Sequence, residues 1–115
     1  EYLRKQDVLD GMAIDLEAVI AWSKRYAALA RDLAEKETDS TRKQELEAIA
    51  GHCEWVPENP ARNFREALQS YWLEHLVINF LDLPQVGSGI RLDQCLQPFY
   101  ERDFREERIS RVEAQ

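Results

Sequence analysis

Two cysteines, two histidines and a serine held between glycines are the side chains here that could act as nucleophile, base or metal ligand. A thiolate nucleophile needs a base or a positive environment, and His52 stands directly beside Cys53, but neither Cys53 nor Cys95 lies in a paired C-x-x-C arrangement. His52 and His75 do not have the short spacing that brings two imidazoles onto one metal ion, so no metal site and no catalytic residue is assigned. Cys53 and Cys95 read as small apolar side chains, reduced rather than disulfide-bonded. His75 and Asn79, one helical turn apart on an apolar face, read as polar groups that satisfy each other. In Gly87-Ser88-Gly89 the two glycines open backbone geometry closed to other residues, which suits either a shaped turn or a loop that approaches a ligand. Arg62 with Glu66, and Arg91 with Asp93, have the spacing of structural ion pairs and helix caps.

These residues must be held by helices. Apolar or small residues recur every three or four positions from Met12 through Leu16, Val19, Ser23, Tyr26 and Ala30 to Leu33, predicting a long helix over about 8–36, with a start that Gly11 blurs. Thr41 with Gln44 has capping-box spacing and predicts a second helix over about 41–53, which Pro57 stops from running on. The segment "VPENPARNFREALQ" then changes abruptly from a proline-fixed approach to helical composition. Asn63 as N-cap, with Glu66 reaching back, predicts a third helix over about 63–83 with Phe64, Leu68, Tyr71, Leu76, Phe80 and Leu83 on one broad apolar face, ending before Pro84. Asp93 is the expected cap of a fourth, over about 93–105, and Ser110 with Glu113 has the box spacing of a further helix start.

Composition limits what such a bundle can do. In 115 residues, 22 acidic against 15 basic side chains leave a formal charge of −7, which repels nucleic acid. No apolar run approaches the ~20 residues of a membrane span and no signal sequence opens the chain, so a cytoplasmic protein without membrane contact is expected. The length suits one domain or part of one, and the incomplete last helix suggests a piece of a longer protein.

The stretch "RYAALARDLAEKETDSTRKQELEAIAGHCEWVPENPARNFREALQSYW", followed by "RLDQCLQPFYERDF", resembles the pyruvate formate-lyase-like domain of the glycyl radical enzymes, from about Arg25 to Phe104. Ile90 stands where that family usually has glycine, and Cys95 where an aromatic residue is common. The resemblance implies a mostly α segment that packs around the α/β barrel of a larger enzyme. It also implies an activity: a glycyl radical, installed by an S-adenosylmethionine-dependent iron–sulfur activase, is passed to a cysteine whose thiyl radical drives lyase, dehydratase or formate C-acetyltransferase-like chemistry. The expected partners are the rest of the parent enzyme and its activase. Neither radical-bearing motif occurs in these residues, so they are expected to carry no cofactor, to be inert alone and to self-associate through bared apolar faces. The Ser88 loop is expected near the substrate pocket. A free-standing helical module that binds another protein is the alternative.

Overall fold

The computed structural model describes residues 2–78 and 91–114. Four helices account for most of them: α1 (Tyr2–Lys36), α2 (Ser40–Trp55), α3 (Phe64–Leu76) and α4 (Leu92–Arg105), with no strand among the described residues. At about 1.5 Å per residue, α1 is roughly 52 Å long. It therefore sets the longest dimension of the molecule, 55 Å.

The α1/α2 hairpin packs through small side chains. Ser23, Ala27, Ala30 and Ala34 are buried on α1, and Leu46, Ala50 and Cys53 on α2. Small residues let two helices approach closely, and a three-residue link keeps them antiparallel. In that link the Glu37 carboxylate accepts from the Thr38 and Asp39 amides at 2.8 and 3.0 Å. The predicted Thr41–Gln44 box does not form the cap. Helix α2 starts one residue earlier, and Asp39 accepts from the Arg42 amide at 2.7 Å. A carboxylate at the N-cap also meets the positive end of the helix dipole, which a neutral threonine hydroxyl does not.

The last carbonyls of a helix lack partners within it. Ser23, buried opposite the end of α2, supplies one: its hydroxyl lies 2.8 Å from Cys53 O and 3.0 Å from Val56 O, within donating reach of both. Pro57 follows the C-cap residue Val56, and the Val56–Pro57 peptide is cis.

Helix α3 ends as a regular α-helix at Leu76 and widens into a π-type turn at 77–78. The stretch expected to carry it on to Leu83, including Asn79, lies outside the described residues. Its phase differs from expectation: Phe64, Ala67 and Leu73 are buried, while Leu68 is 41% exposed. The helix is apolar on several sides, so periodicity alone selects no single face. Helix α4 begins at Leu92 with Arg91 in the cap position and no side-chain cap. Asp93 lies in its first turn and pairs with Arg91 rather than capping. At its far end Glu107 takes a left-handed conformation (φ 55°), and the Arg108 and Glu107 amides donate back to Asp103 O (2.8 Å) and Phe104 O (3.2 Å), the paired bonds of a Schellman turn.

Candidate functional site

Buried carboxylates and arginine side chains come together where α3 begins. The approach is rigid: the Trp55 indole donates to Pro60 O at 2.8 Å, and the Arg62 guanidinium lies 4.0 Å over the Trp55 ring. Asn63, in extended conformation, accepts from the Glu66 amide at 2.8 Å. Glu66 returns not to the Asn63 amide, as a standard box would, but to that of Arg62, at 2.7 Å. Its other oxygen takes Arg62 Nη2 at 2.6 Å. Only 1% of Glu66 is exposed. Burial alone would raise its pKa, but the bonds from the Arg62 guanidinium and amide outweigh burial and hold the carboxyl below the usual glutamate range.

A second buried carboxylate arrives from α4. Asp103 Oδ2 accepts from the Phe64 amide at 2.7 Å and Oδ1 from Arg108 Nη2 at 2.9 Å, while Arg102 Nη2 donates to Arg62 O. Two carboxylates thus satisfy amides at a helix N-terminus, where the dipole favours negative charge. Their oxygens accept from amides and guanidinium groups, an arrangement that holds the geometry of the helix start. No buried side-chain polar atom among the described residues is left without a partner.

Arg102, Arg108 and Trp55 carry no signal for these contacts in the local sequence pattern, whereas Ser23 lies on the apolar stripe of α1 as a small residue. For Asp103 a signal existed: Leu96, Tyr100 and Asp103 follow the helical i, i+4, i+7 spacing, which places an acid on the apolar stripe of α4.

The groups with reactive chemistry are dispersed. Cys53 is buried, and burial pushes its thiol pKa up, against a smaller lowering by Ser23. Cys95 is exposed on α4. His52 is half-buried and lines a groove of about 720 Å³ between α2 and α3 that includes Ile49, Leu68 and Trp72. Burial lowers its pKa, Glu66 opposes this, and Arg65 and Arg62 reinforce it. His75 is also half-buried, stacked on Tyr71 and Trp72 with centroids 5.8 and 5.7 Å apart. Arg91 and Asp93 form an exposed two-bond ion pair at 2.8 and 3.0 Å. Gly87, Ser88 and Gly89 lie outside the described residues. No cluster of three metal-ligating side chains occurs among the described residues.

A family model described as pyruvate formate lyase-like matches residues 1–115. The chain belongs to the pyruvate formate lyase-like family. Isethionate sulfite-lyase of Nitratidesulfovibrio vulgaris is 46% identical over 112 residues, covering 94% of this chain and 13% of that protein. Among solved structures, one on 1,2-propanediol dehydration in Roseburia inulinivorans superimposes with a TM-score of 0.92 at 41% identity, over 98% of this chain and 14% of that one. A glycyl radical enzyme from Archaeoglobus fulgidus gives 0.81 at 36% identity, over 98% and 16%. The chain therefore spans about one seventh of the length of the relatives it matches.

Within this pyruvate formate lyase-like chain the described glycines lie in regular helix. Gly11 and Gly51 lie inside α1 and α2, and a Cβ added at either would meet nothing within 4 Å, so neither marks a close backbone approach. Cys53 is buried with a raised pKa, unlike an accessible reactive thiol. The helical architecture matches a segment of a glycyl radical enzyme, and no helix of the described residues is long and apolar enough to cross a membrane.

Proposed function

We propose that the full-length protein is a cytoplasmic glycyl radical lyase or dehydratase acting on a small organic substrate, and that residues 1–115 form part of its helical scaffold. The observation that carries this is the superposition at TM-score 0.92, with 41% identity, on an enzyme of 1,2-propanediol dehydration. Such agreement in backbone and sequence over 98% of the chain ties these helices to that architecture rather than to a free-standing binding module. In this reading a glycyl radical elsewhere in the polypeptide is installed by an S-adenosylmethionine-dependent iron–sulfur activase. A thiyl radical formed from it abstracts hydrogen from the substrate so that a neighbouring group can leave. The Glu66 and Asp103 carboxylates fix the start of α3, and the Gly87-Ser88-Gly89 loop that follows lies near the substrate pocket. The isolated 115-residue chain, lacking the rest of the enzyme, pairs with itself through its exposed apolar faces.

The test is anaerobic treatment of the full-length enzyme with a matching activase and S-adenosylmethionine. A glycyl doublet in the electron paramagnetic resonance spectrum is expected, followed by sulfite release from isethionate or dehydration of 1,2-propanediol. A full-length protein that gives no doublet with an activase proven on a related enzyme overturns the reading.

A further inference from the structure

The face of α1 that packs on α2 does not stop where α2 stops. At about 100° per residue, Ser23, Ala27, Ala30 and Ala34 fall within one third of the helix circumference. These are the buried residues of α1. Val8, Leu9, Met12 and Leu16 fall in the same sector about two to four turns earlier, yet they are 57–65% exposed, because α2 reaches back only as far as Ser23. Side-chain size changes at that boundary from Ala and Ser to Leu, Met and Val, as suits a partner lying at a wider separation than α2. The opposite side of the same turns carries Asp7, Asp10 and Glu17, with Ile14 among them. This half of the helix is therefore two-faced, one side apolar and one side acidic, with the apolar side bare.

Two facts indicate what covers it. The chain superimposes over 98% of its length on a complete enzyme, so the projecting half of α1 is helical there as well. That enzyme is about seven times longer than the superimposed segment, so ample polypeptide is at hand. We infer that the Val8-Leu9-Met12-Leu16 face is an internal docking surface, covered in the full-length enzyme by an apolar segment of the same polypeptide outside residues 1–115, with the Asp7-Asp10-Glu17 side left facing solvent. This rests on the full-length reading above, and adds which face is covered and by what.

Met12 is the sole methionine of the 115 residues and reports on the face without mutation. In the unactivated full-length enzyme, peroxide should oxidise Met12 roughly tenfold or more slowly than in urea, because reaction then requires local opening. Two variants, Met12→Cys and Ile14→Cys, give a second readout. Peptide mass spectrometry after maleimide labelling separates both positions from native thiols, and position 12 should react roughly tenfold or more slowly than position 14. Equal rates at the two positions, or Met12 oxidised as fast in the folded enzyme as in urea, overturn the inference. Protection that disappears on hundredfold dilution shows a second copy as the occupant and overturns it too. Failure of the radical reading leaves these rates untouched, since they are measured without activation. An active enzyme with an unprotected Met12 sinks only the docking surface.

Discussion

The Phe64 amide donates to Asp103 Oδ2 at 2.7 Å, tying the first residue of α3 to the last turn of α4 across 39 positions. The same aspartate accepts from Arg108 through its other oxygen and, through its carbonyl, closes the turn after α4. Asp103→Ala leaves the buried Phe64 amide without its acceptor, while Arg108 keeps Glu106 at 2.7 Å, and should lower stability by about 1–3 kcal/mol. Asp103→Asn keeps an oxygen for Phe64 and should lower it by about half as much. Urea midpoints of the two variants check this ordering, and equal losses would show that the Phe64 bond contributes nothing separable.

How far this junction could be foreseen depends on distance along the chain. The Asn63 cap involves groups three residues apart, so residue type and spacing define it. The Asp103–Phe64 contact joins groups 39 positions apart, and helical spacing says only that an acid faces inward, not which amide it meets. The start of α2 was misplaced because Asp39 and Thr41 both carry capping oxygens, and charge decided between them. The buried side of α3 was misjudged because Leu68 and Ala67 are both apolar, and packing rather than period buried the smaller one. The radical chemistry is legible only through the resemblance. No arrangement of the described side chains encodes it.

Glycine and a charged residue occupy two positions that each suit the other type. Gly51 lies inside α2, where an added Cβ meets nothing within 4 Å. Glu107 has a φ of 55°, where a Cβ is strained. Gly51→Ala should raise stability by about 0.5–1 kcal/mol through helix propensity and a less free unfolded chain. Glu107→Gly should give a gain of up to about 1 kcal/mol by removing that strain. Thermal melts of the two single variants and the double variant should show additive gains, since one site lies within α2 and the other in the turn after α4. A lower melting temperature for Glu107→Gly would mean that the flexibility added to the unfolded chain outweighs the relief.

Acid should unfold the chain in two steps of the same sign. His52 binds its proton less readily when folded than when unfolded, chiefly because it is buried. Between those two pKa values the unfolded state holds more protons, so stability is lost as pH falls through the ordinary value of 6.5 and levels off below the folded one. Glu66 is pushed up by burial and pulled further down by Arg62, for a net lowering. Its contribution is complete above the ordinary 4.5 and disappears as pH falls through the lower folded value. Urea midpoints measured from pH 8 to pH 3 should therefore decline twice. His52→Gln should flatten the upper decline and spare the lower. Loss of the lower decline in that variant would show that the two groups titrate as one unit.

The two cysteines offer the most direct check on where the radical chemistry resides. Cys53 is enclosed between α1 and α2 with its thiol pushed up by burial, and Cys95 is exposed on α4. Iodoacetamide should therefore modify Cys95 in the folded 115-residue chain and reach Cys53 only on unfolding. In the full-length enzyme, Cys53→Ala and Cys95→Ala should each leave the glycyl doublet intact and kcat within about twofold of the parent, the first lowering thermal stability through lost packing. If the Ser88 hydroxyl lines the substrate pocket as proposed, Ser88→Ala should lower kcat or raise KM. The 115-residue chain, treated anaerobically with activase and S-adenosylmethionine, should give no doublet, because the family's glycine-bearing motif does not occur in these residues. A doublet on that chain would place the radical site within it. Abolished turnover in Cys95→Ala, with the doublet retained and the fold unchanged, would make Cys95 the thiyl carrier.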